Sequence, residues 1–175
     1  MELTYATIQT PVGELAAAFS PAGLLRIELP RDGLPAIKLL ERRFPGLPRR
    51  DGGGDAGALR SQLGEYFDCR RREFDLALDL RGTLYRMRVW EEMQRIPYGS
   101  TVSYGELAVR IGGHARAVGT ASAHNQIPII IPCHRVVAAD GSLRGYGGGL
   151  PMKRFLLSLE GAPVADQESL FPASA

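Results

Sequence analysis

Apolar and polar positions alternate over the first part of the chain and then change to a helical repeat. Leu3 to Ile8, Leu15 to Phe19 and Leu24 to Leu29 read as strands, the last alternating through Leu25, Ile27 and Leu29. Thr10-Pro11-Val12-Gly13 and Ser20-Pro21-Ala22-Gly23 place turn residues between them, so a three-stranded meander is expected. Ile37, Leu40 and Phe44 are spaced for a helix over Ala36 to Phe44. Pro45 to Ala58, with Gly52-Gly53-Gly54, reads as a loop. Leu59, Leu63, Tyr66 and Phe67 then repeat as one stripe of a second amphipathic helix. Arg70-Arg71-Arg72 reads as a solvated loop, and Phe74 to Leu80 as a strand.

From Gly82 onward the pattern is of short helices. Thr83 caps one that runs to Arg95, and Pro97-Tyr98-Gly99 ends it. Ser103-Tyr104-Gly105-Glu106 fits a capping box for a helix ending at Ile111. After the turn Gly112-Gly113 a third helix covers Ala115 to His124, and helix, glycine turn, helix is the signature of a helix-turn-helix. Val136 to Ala139 reads as a strand and Asp140-Gly141-Ser142 as a hairpin turn. Gly145 to Gly149 form a glycine-rich loop, and Pro151 and Gly161 bracket a last helix. The class is α+β. Residues 1–81 form one expected domain, 82–161 a second, and 162–175 a frayed tail.

Composition narrows the function. Of 175 residues 45% are apolar and 23% charged, and no apolar run nears the ~18 residues of a membrane helix. The start has neither a basic n-region nor an apolar h-region, so a reducing cytoplasm is expected. Cys69 and Cys133 are too few for a disulfide framework or a multi-cysteine zinc site, and Cys69 reads as structural. His114, His124 and His134 are the only histidines, the first two reading as surface or DNA-proximal residues. Net charge is −1 over residues 1–80, +5 over 81–161 and −2 over the last 14. The basic second half points to an anionic partner such as nucleic acid; a solvated basic face would look the same.

The chemistry concentrates at Pro132-Cys133-His134-Arg135. A thiolate attacks where a thiol does not, and a free cysteine is only a few per cent thiolate at neutral pH, so a nucleophile needs a base. Neighbours in sequence converge only in a tight turn or through a bridging water; the plainer reading is a buried structural cysteine. Glu160 ends the last helix, where a carboxylate opposes the macrodipole by roughly 0.3–1 kcal/mol, and a histidine partner would compensate. The helix Ala115-Arg116-Ala117-Val118-Gly119-Thr120-Ala121-Ser122-Ala123 is nearly all small residues. That suits entry into a narrow minor groove, or equally close helix packing.

Gly82 to Gly161 resembles the catalytic domain of the O6-alkylguanine-DNA alkyltransferases, the methylated-DNA–protein-cysteine methyltransferases. The segments that carry the likeness include Val89-Trp90, Ile96-Pro97-Tyr98-Gly99, Ser103-Tyr104-Gly105-Glu106-Leu107-Ala108 and Arg116-Ala117-Val118-Gly119. Asn125, Ile131-Pro132-Cys133-His134-Arg135-Val136, Gly145-Tyr146 and Leu156-Leu157 followed by Glu160-Gly161 complete the set. The first 80 residues resemble the family loosely, through Thr10-Pro11-Val12-Gly13.

The resemblance implies a small ribonuclease-H-like N-terminal domain of sheet and helix. It is followed by a mostly helical, winged-helix-like domain with the helix-turn-helix. It implies that Cys133 takes an alkyl group from O6 of guanine, and from O4 of thymine, once per molecule, in a flipped-out nucleotide of double-stranded DNA. His134 would deprotonate Cys133 through a water, Glu160 would orient His134, and Tyr104 would give a proton towards N3 of the purine. Arg116 would fill the gap in the base stack. Ala115, Ala117, Gly119, Thr120 and Arg135 would join it on DNA, and Asn125 would tie the recognition helix to the reactive turn. Val136, Tyr146, Gly147, Ser122 and Pro128 would line the pocket, the carbonyls of Cys133 and Val136 and the amide of Gly147 meeting the base. No metal and no cofactor are implied, and a monomer is expected. Several departures matter. The Gly112-Gly113-His114 turn is short, which would shift the DNA-binding helices. Gln126 stands where proline is common and would loosen its turn. Ser122 is small and would widen the pocket towards bulkier alkyl groups. On the residues alone a lesion-binding protein without transfer, and a cysteine hydrolase using Cys133, His134 and Glu160, stay open.

Overall fold

A computed structural model describes residues 3–49 and 54–165. The expected meander forms as β1 (Thr4–Thr10), β2 (Gly13–Ser20) and β3 (Gly23–Glu28), antiparallel and in chain order. Ile8 lies opposite Leu15 and Thr10 opposite Gly13. β2 is buried on both faces. Leu15, Ala17 and Phe19 share a core with Leu59 and Leu63 of α2 (Gly54–Phe67), while Ala16 and Ala18 pack with Leu40 of α1 (Ala36–Arg43). The three alanines let both helices approach the strand closely.

Two expectations here are corrected. The loop over Pro45 to Ala58 is shorter, because α2 begins at Gly54 with Asp55 in its first turn, where a carboxylate favours a helix start; Gly52 and Gly53 lie outside the described residues. Phe74 to Leu80 is not a strand. It is extended and touches the edge of β3 at one bridge, where Leu24 N–H donates to Ala77 O and Asp79 N–H to Leu24 O, both at 2.8 Å. The ladder stops there because the next donor on that edge, Ile27 N–H, is taken by the carbonyl of Gln126 at 2.8 Å. A Cβ on Gly23 would lie 2.3 Å from Ala77 O, so this docking also requires the glycine (φ +131°).

The helical half follows the caps. Thr83 Oγ1 accepts from Arg86 N–H ahead of α3 (Leu84–Gln94), and both halves of the Ser103–Glu106 capping box are made ahead of α4 (Tyr104–Ile111). Gly112 closes α4 in the left-handed region at φ +70°, and α5 (Ala115–Ala123) follows. The short turn presses Gly113 onto Tyr85, whose hydroxyl would stand 2.6 Å from a Cβ there. The strand expected over Val136 to Ala139 is only β5 (Val136–Val137). It pairs in parallel with β4 (Val102–Ser103), a strand the sequence reading did not anticipate. Ala138 N–H already turns back to Ser142 O. α6 (Leu150–Leu159) carries Pro151 in its first turn. Ala162, expected at the start of a frayed tail, is buried with Val137, Leu143 and Leu157; residues 166–175 lie outside the described residues. No helix among the described residues is long and apolar enough to cross a membrane.

One contiguous core joins both halves, running from Leu59, Leu63 and Tyr66 to Val89, Trp90, Met93 and Ile96. Gln126 clamps this junction and corrects the expectation of a loosened turn. Its side-chain amide donates to Arg81 O at 2.6 Å, its side-chain oxygen accepts from Arg81 N–H at 3.3 Å, and its main-chain carbonyl holds Ile27. A proline could make only the last contact. Gln126→Ala is expected to lower unfolding stability by about 1 kcal/mol, read from the midpoint of urea unfolding; an unchanged midpoint would show the clamp to be idle.

Candidate active site

The reactive segment is a succession of turns. Asn125 closes the first, donating from Nδ2 to Ile131 O at 2.8 Å and accepting from Ile127 N–H at 3.0 Å. Within it Ile129 sits at φ +75°, a region that costs a β-branched residue on the order of 1–3 kcal/mol. Burial of Ile127, Ile129 and Ile131 holds it there. Cys133–Arg135 then form a single 3-10 turn, with Arg135 N–H on Pro132 O. Cys133 and His134 are thus neighbours on a tight turn, the geometry in which adjacent side chains can serve one site.

His134 is fully buried, and its Nε2 lies 2.8 Å from Glu160 Oε1. An ionised carboxylate only accepts, so Nε2 carries the hydrogen and Nδ1 the lone pair. Nδ1 is buried and has no hydrogen-bond partner in the protein. Glu160 caps α6 at the dipole's negative end and collects five donors. Oε1 accepts from His134, from Tyr66 Oη at 2.7 Å and from Arg135 Nη2 at 3.0 Å; Oε2 accepts from Arg135 Nε at 2.9 Å and Gly99 N–H at 3.2 Å. Burial pushes this carboxyl up, but the bonds from His134 and Arg135 outweigh it and hold it at about 2. Burial lowers the pKa of His134 against the pull of Glu160, so the imidazole is neutral at pH 7.

Arg135, expected on DNA, is corrected. It is buried, grips Glu160 through Nε and Nη2, and gives Nη1 to Ile96 O at 2.7 Å, so its guanidinium is turned into the protein and not towards a phosphate.

Cys133 lies in a cavity of about 610 Å³ with Tyr104, Asn125, Pro128, Tyr146, Gly147, Ser122, Ala115 and Gly119. Nine expected residues therefore converge. Val136 does not line the cavity; it is fully buried, and its carbonyl accepts from Lys153 Nζ at 2.6 Å. The Cys133 carbonyl accepts from Val136 N–H. Each carbonyl keeps a second lone pair for a base. Burial pushes the Cys133 thiol up, against a hydrogen bond from Asn125 and the charge of Lys153. Burial likewise raises Tyr104, with the nearby sulfur adding to it, so its phenol stays a proton donor.

Two parts of this site were missed in the sequence. Lys153 is fully buried, donates also to Arg144 O at 2.9 Å, and sits 5.8 Å from the Tyr104 ring. Its signal was a lysine in line with Leu156, Leu157 and Glu160 on the buried stripe of α6. One wall of the cavity is β3 and the residues after it, including Ile27, Leu29 and Arg31, for which no local signal exists.

On the outer side, Arg116 and Thr120 are exposed, and with Ala117 and His114 they line a second, shallower cavity against Tyr85. Val118 and Ala121 face inward, where Trp90 Nε1 donates to Ala121 O at 2.9 Å. The small residues of α5 thus serve helix packing on one face and leave a low surface on the other. His114 and His124 are exposed. Among the described residues no three histidine, cysteine or carboxylate side chains are grouped to hold a metal ion. Cys69, expected to be structural, is exposed at φ +58°. Iodoacetamide at neutral pH is therefore expected to alkylate Cys69 well before the buried, raised-pKa Cys133, as peptide mapping would read; the reverse order would mean that Cys133 is already a thiolate in the free protein.

Comparison with known proteins gives this geometry its context. Residues 84–162 match the family described as 6-O-methylguanine DNA methyltransferase, DNA binding domain. A methylated-DNA–protein-cysteine methyltransferase of Mycolicibacterium paratuberculosis is 48% identical over 81% of this chain and 88% of its own length. The crystal structure of Mycobacterium tuberculosis OGT in complex with DNA is 42% identical, with a TM-score of 0.79 over 91% of this chain and 95% of that one. The O6-methylguanine-DNA methyltransferase of Pyrococcus kodakaraensis has a TM-score of 0.67 at 26% identity, over 91% and 99%. The mixed fold, a small antiparallel sheet with helices, is the one these structures share. A buried Cys133 beside the His134–Glu160 pair, in a chain alike to these relatives over nearly all its length, places the protein in the methylated-DNA–protein-cysteine methyltransferase family.

Proposed function

We propose that the protein repairs DNA by direct reversal, moving the alkyl group from O6 of guanine, and from O4 of thymine, in double-stranded DNA onto Cys133. The observation that carries this reading is Cys133 at the cavity that Tyr104 and α5 share, with the lone pair of His134 Nδ1 unengaged beside it in sequence. The sulfur attacks the alkyl carbon in line as the bond from carbon to O6 breaks, and the electron pair goes to the purine. Tyr104 donates a proton to N3. His134 takes the thiol proton through one water and becomes imidazolium, which the ionised Glu160 stabilises; its proton then restores Tyr104. The product thioether is stable and nothing in the site removes it, so each chain acts once.

O6 of a stacked guanine cannot reach a buried sulfur, so the nucleotide flips out, at a cost of a few kcal/mol. Arg116, exposed in the first turn of α5, fills the gap it leaves, and Ala115, Ala117, Gly119 and Thr120 let the helix approach the minor groove. Ser122 leaves room in the cavity for alkyl groups larger than methyl. Gly147 would present its amide to O6, and a Cβ there would touch nothing within 4 Å, so serine or alanine would serve equally. The three-stranded sheet flanked by helices supports a ribonuclease-H-like assignment for residues 1–81. The helix-turn-helix with the β4–β5 pair supports a winged-helix-like one for 82–161. A monomer acting in the cytoplasm completes the reading.

The test is intact mass after incubation with duplex DNA carrying a single O6-methylguanine. The expected result is one added methyl per chain, mapped to Cys133 and never exceeding one. Lesion-specific binding without a mass change would replace this reading with that of a lesion-binding protein.

A further inference from the structure

Tyr66 stands on α2, in the N-terminal half, 94 residues from the carboxylate that its hydroxyl touches. It is fully buried, and a buried tyrosine hydroxyl needs a partner. Its ring is fixed by Phe67, Phe74 and Tyr98, with centroids 5.2, 5.4 and 6.1 Å away. The hydroxyl therefore cannot swing aside and meets Glu160 Oε1 at 2.7 Å, the shortest of the five bonds to that carboxylate and on the same oxygen that His134 uses. We propose that Tyr66 is a positioning residue for alkyl transfer: its hydroxyl sets Oε1 of Glu160 against His134, so the N-terminal half completes the hydrogen-bond chain that serves Cys133. The proposal rests on the reading above, in which His134 and Glu160 activate that cysteine.

A neutral donor does what a further cation could not. It fixes the oxygen without adding positive charge beside the imidazole. Burial, with Glu160 alongside, raises its pKa far above the working range, so it remains a donor at every pH the protein meets. Each donor on Oε1 also draws electron density from the carboxylate and weakens its pull on the imidazole proton. The groups that act on this pair are Tyr66 from α2, Arg135 beside His134, and Tyr98 with the Gly99 amide from the loop after α3. Tyr146 from the glycine-rich loop and Lys153 from α6 act on it as well. Only Tyr66 can be altered by one atom while the other donors stay in place.

Single-turnover transfer from O6-methylguanine DNA would be measured for Tyr66→Phe from mildly acidic to mildly alkaline pH. The rate constant is expected to fall about tenfold while affinity for the DNA is unchanged. The acid limb should move to higher pH, because a more basic Glu160 holds the imidazolium longer. 4-Aminophenylalanine at 66, which keeps an N–H donor, should restore rate and limb. In a Glu160→Gln background Tyr66→Phe should move the limb no further, which distinguishes positioning from general loosening. 3-Fluorotyrosine at 66, a stronger donor that perturbs packing little, should move the limb to lower pH and gives a reading even if Tyr66→Phe does not fold. An unmoved limb in both the fluorinated protein and folded Tyr66→Phe, or equal losses in both backgrounds, would overturn the proposal. If Glu160→Gln itself leaves rate and pH profile unchanged, the reading of Glu160 fails and the proposal with it; if Glu160→Gln is impaired and the Tyr66 variants are silent, the proposal alone fails.

Discussion

Glu160→Gln is expected to slow alkyl transfer by about a hundredfold or more, the usual scale for losing a general base's support. It should also cost roughly 3–5 kcal/mol of stability, because Arg135 remains buried without its countercharge. Glutamine occupies the same space, but its amide nitrogen presents hydrogens where the carboxylate accepted five bonds, so at least two donors lose their partner. The two losses have one origin. The carboxylate that stabilises the imidazolium in the reaction is the same one that ties α6, α2, the reactive turn and the Gly99 loop together. A variant that kept full transfer while losing stability would separate these roles and refute the assignment.

The same group sets the acid response. A carboxyl held at about 2 in the folded chain, against 4.5 when unfolded, contributes stability that is complete above pH 4.5. That stability is lost as pH falls towards 2, and amounts to roughly 3 kcal/mol. His134 acts in the same direction and earlier. Its folded pKa lies below 6.5, so the unfolded chain takes up the proton first and stability begins to fall below pH 6.5. Urea unfolding against pH should therefore show two descending steps in the wild-type protein, the lower one missing from Glu160→Gln.

Much of this was legible beforehand, and the gaps have physical causes. The meander was readable because alternation and turn residues coincide at Thr10–Gly13 and Ser20–Gly23. α4 was readable because Ser103 and Glu106 satisfy each other across one turn. The need for a partner at Glu160 followed from the helix dipole alone, and His134 meets it. What failed was any inference from residue type to environment. The resemblance places Arg135 on DNA, yet its guanidinium is the inner counterion of Glu160. Tyr66 was taken as one more apolar position of a helical stripe, and nothing local announces that its hydroxyl reaches across the chain. Phe74 to Leu80 has the alternation of a strand, but the edge it would pair with is shared with Gln126. Pairing partners distant in sequence decide these cases, and periodicity does not carry them.

Lys153→Met is expected to slow transfer by roughly ten- to a hundredfold, through the thiol rather than through DNA. Burial pulls this lysine down to about 8, so it is still cationic at pH 7, and the charge of Cys133 acts back to keep it so. Its ammonium is held by the carbonyls of Val136 and Arg144, which point it at the reactive turn instead of at solvent. Against burial the thiolate has the hydrogen bond from Asn125 and the charge of this lysine, so removing the cation should push Cys133 higher still. Ultraviolet thiolate absorbance would read that in a Cys69→Ser background, where Cys133 is the only thiol. The stability signature has the same sign as that of Glu160 but lies at the alkaline end. Between pH 8 and 10.5 the unfolded chain binds a proton that folded Lys153 has released, so wild-type stability should rise across that window from this group, and Lys153→Met should lack the rise. If Lys153→Met leaves the thiolate titration in place and still slows transfer, the lysine acts by holding the Val136 and Arg144 carbonyls in position, and its charge is incidental. If the titration moves and transfer falls with it, the protein keeps an ionised lysine buried beside its nucleophile at a cost in stability that the reaction requires.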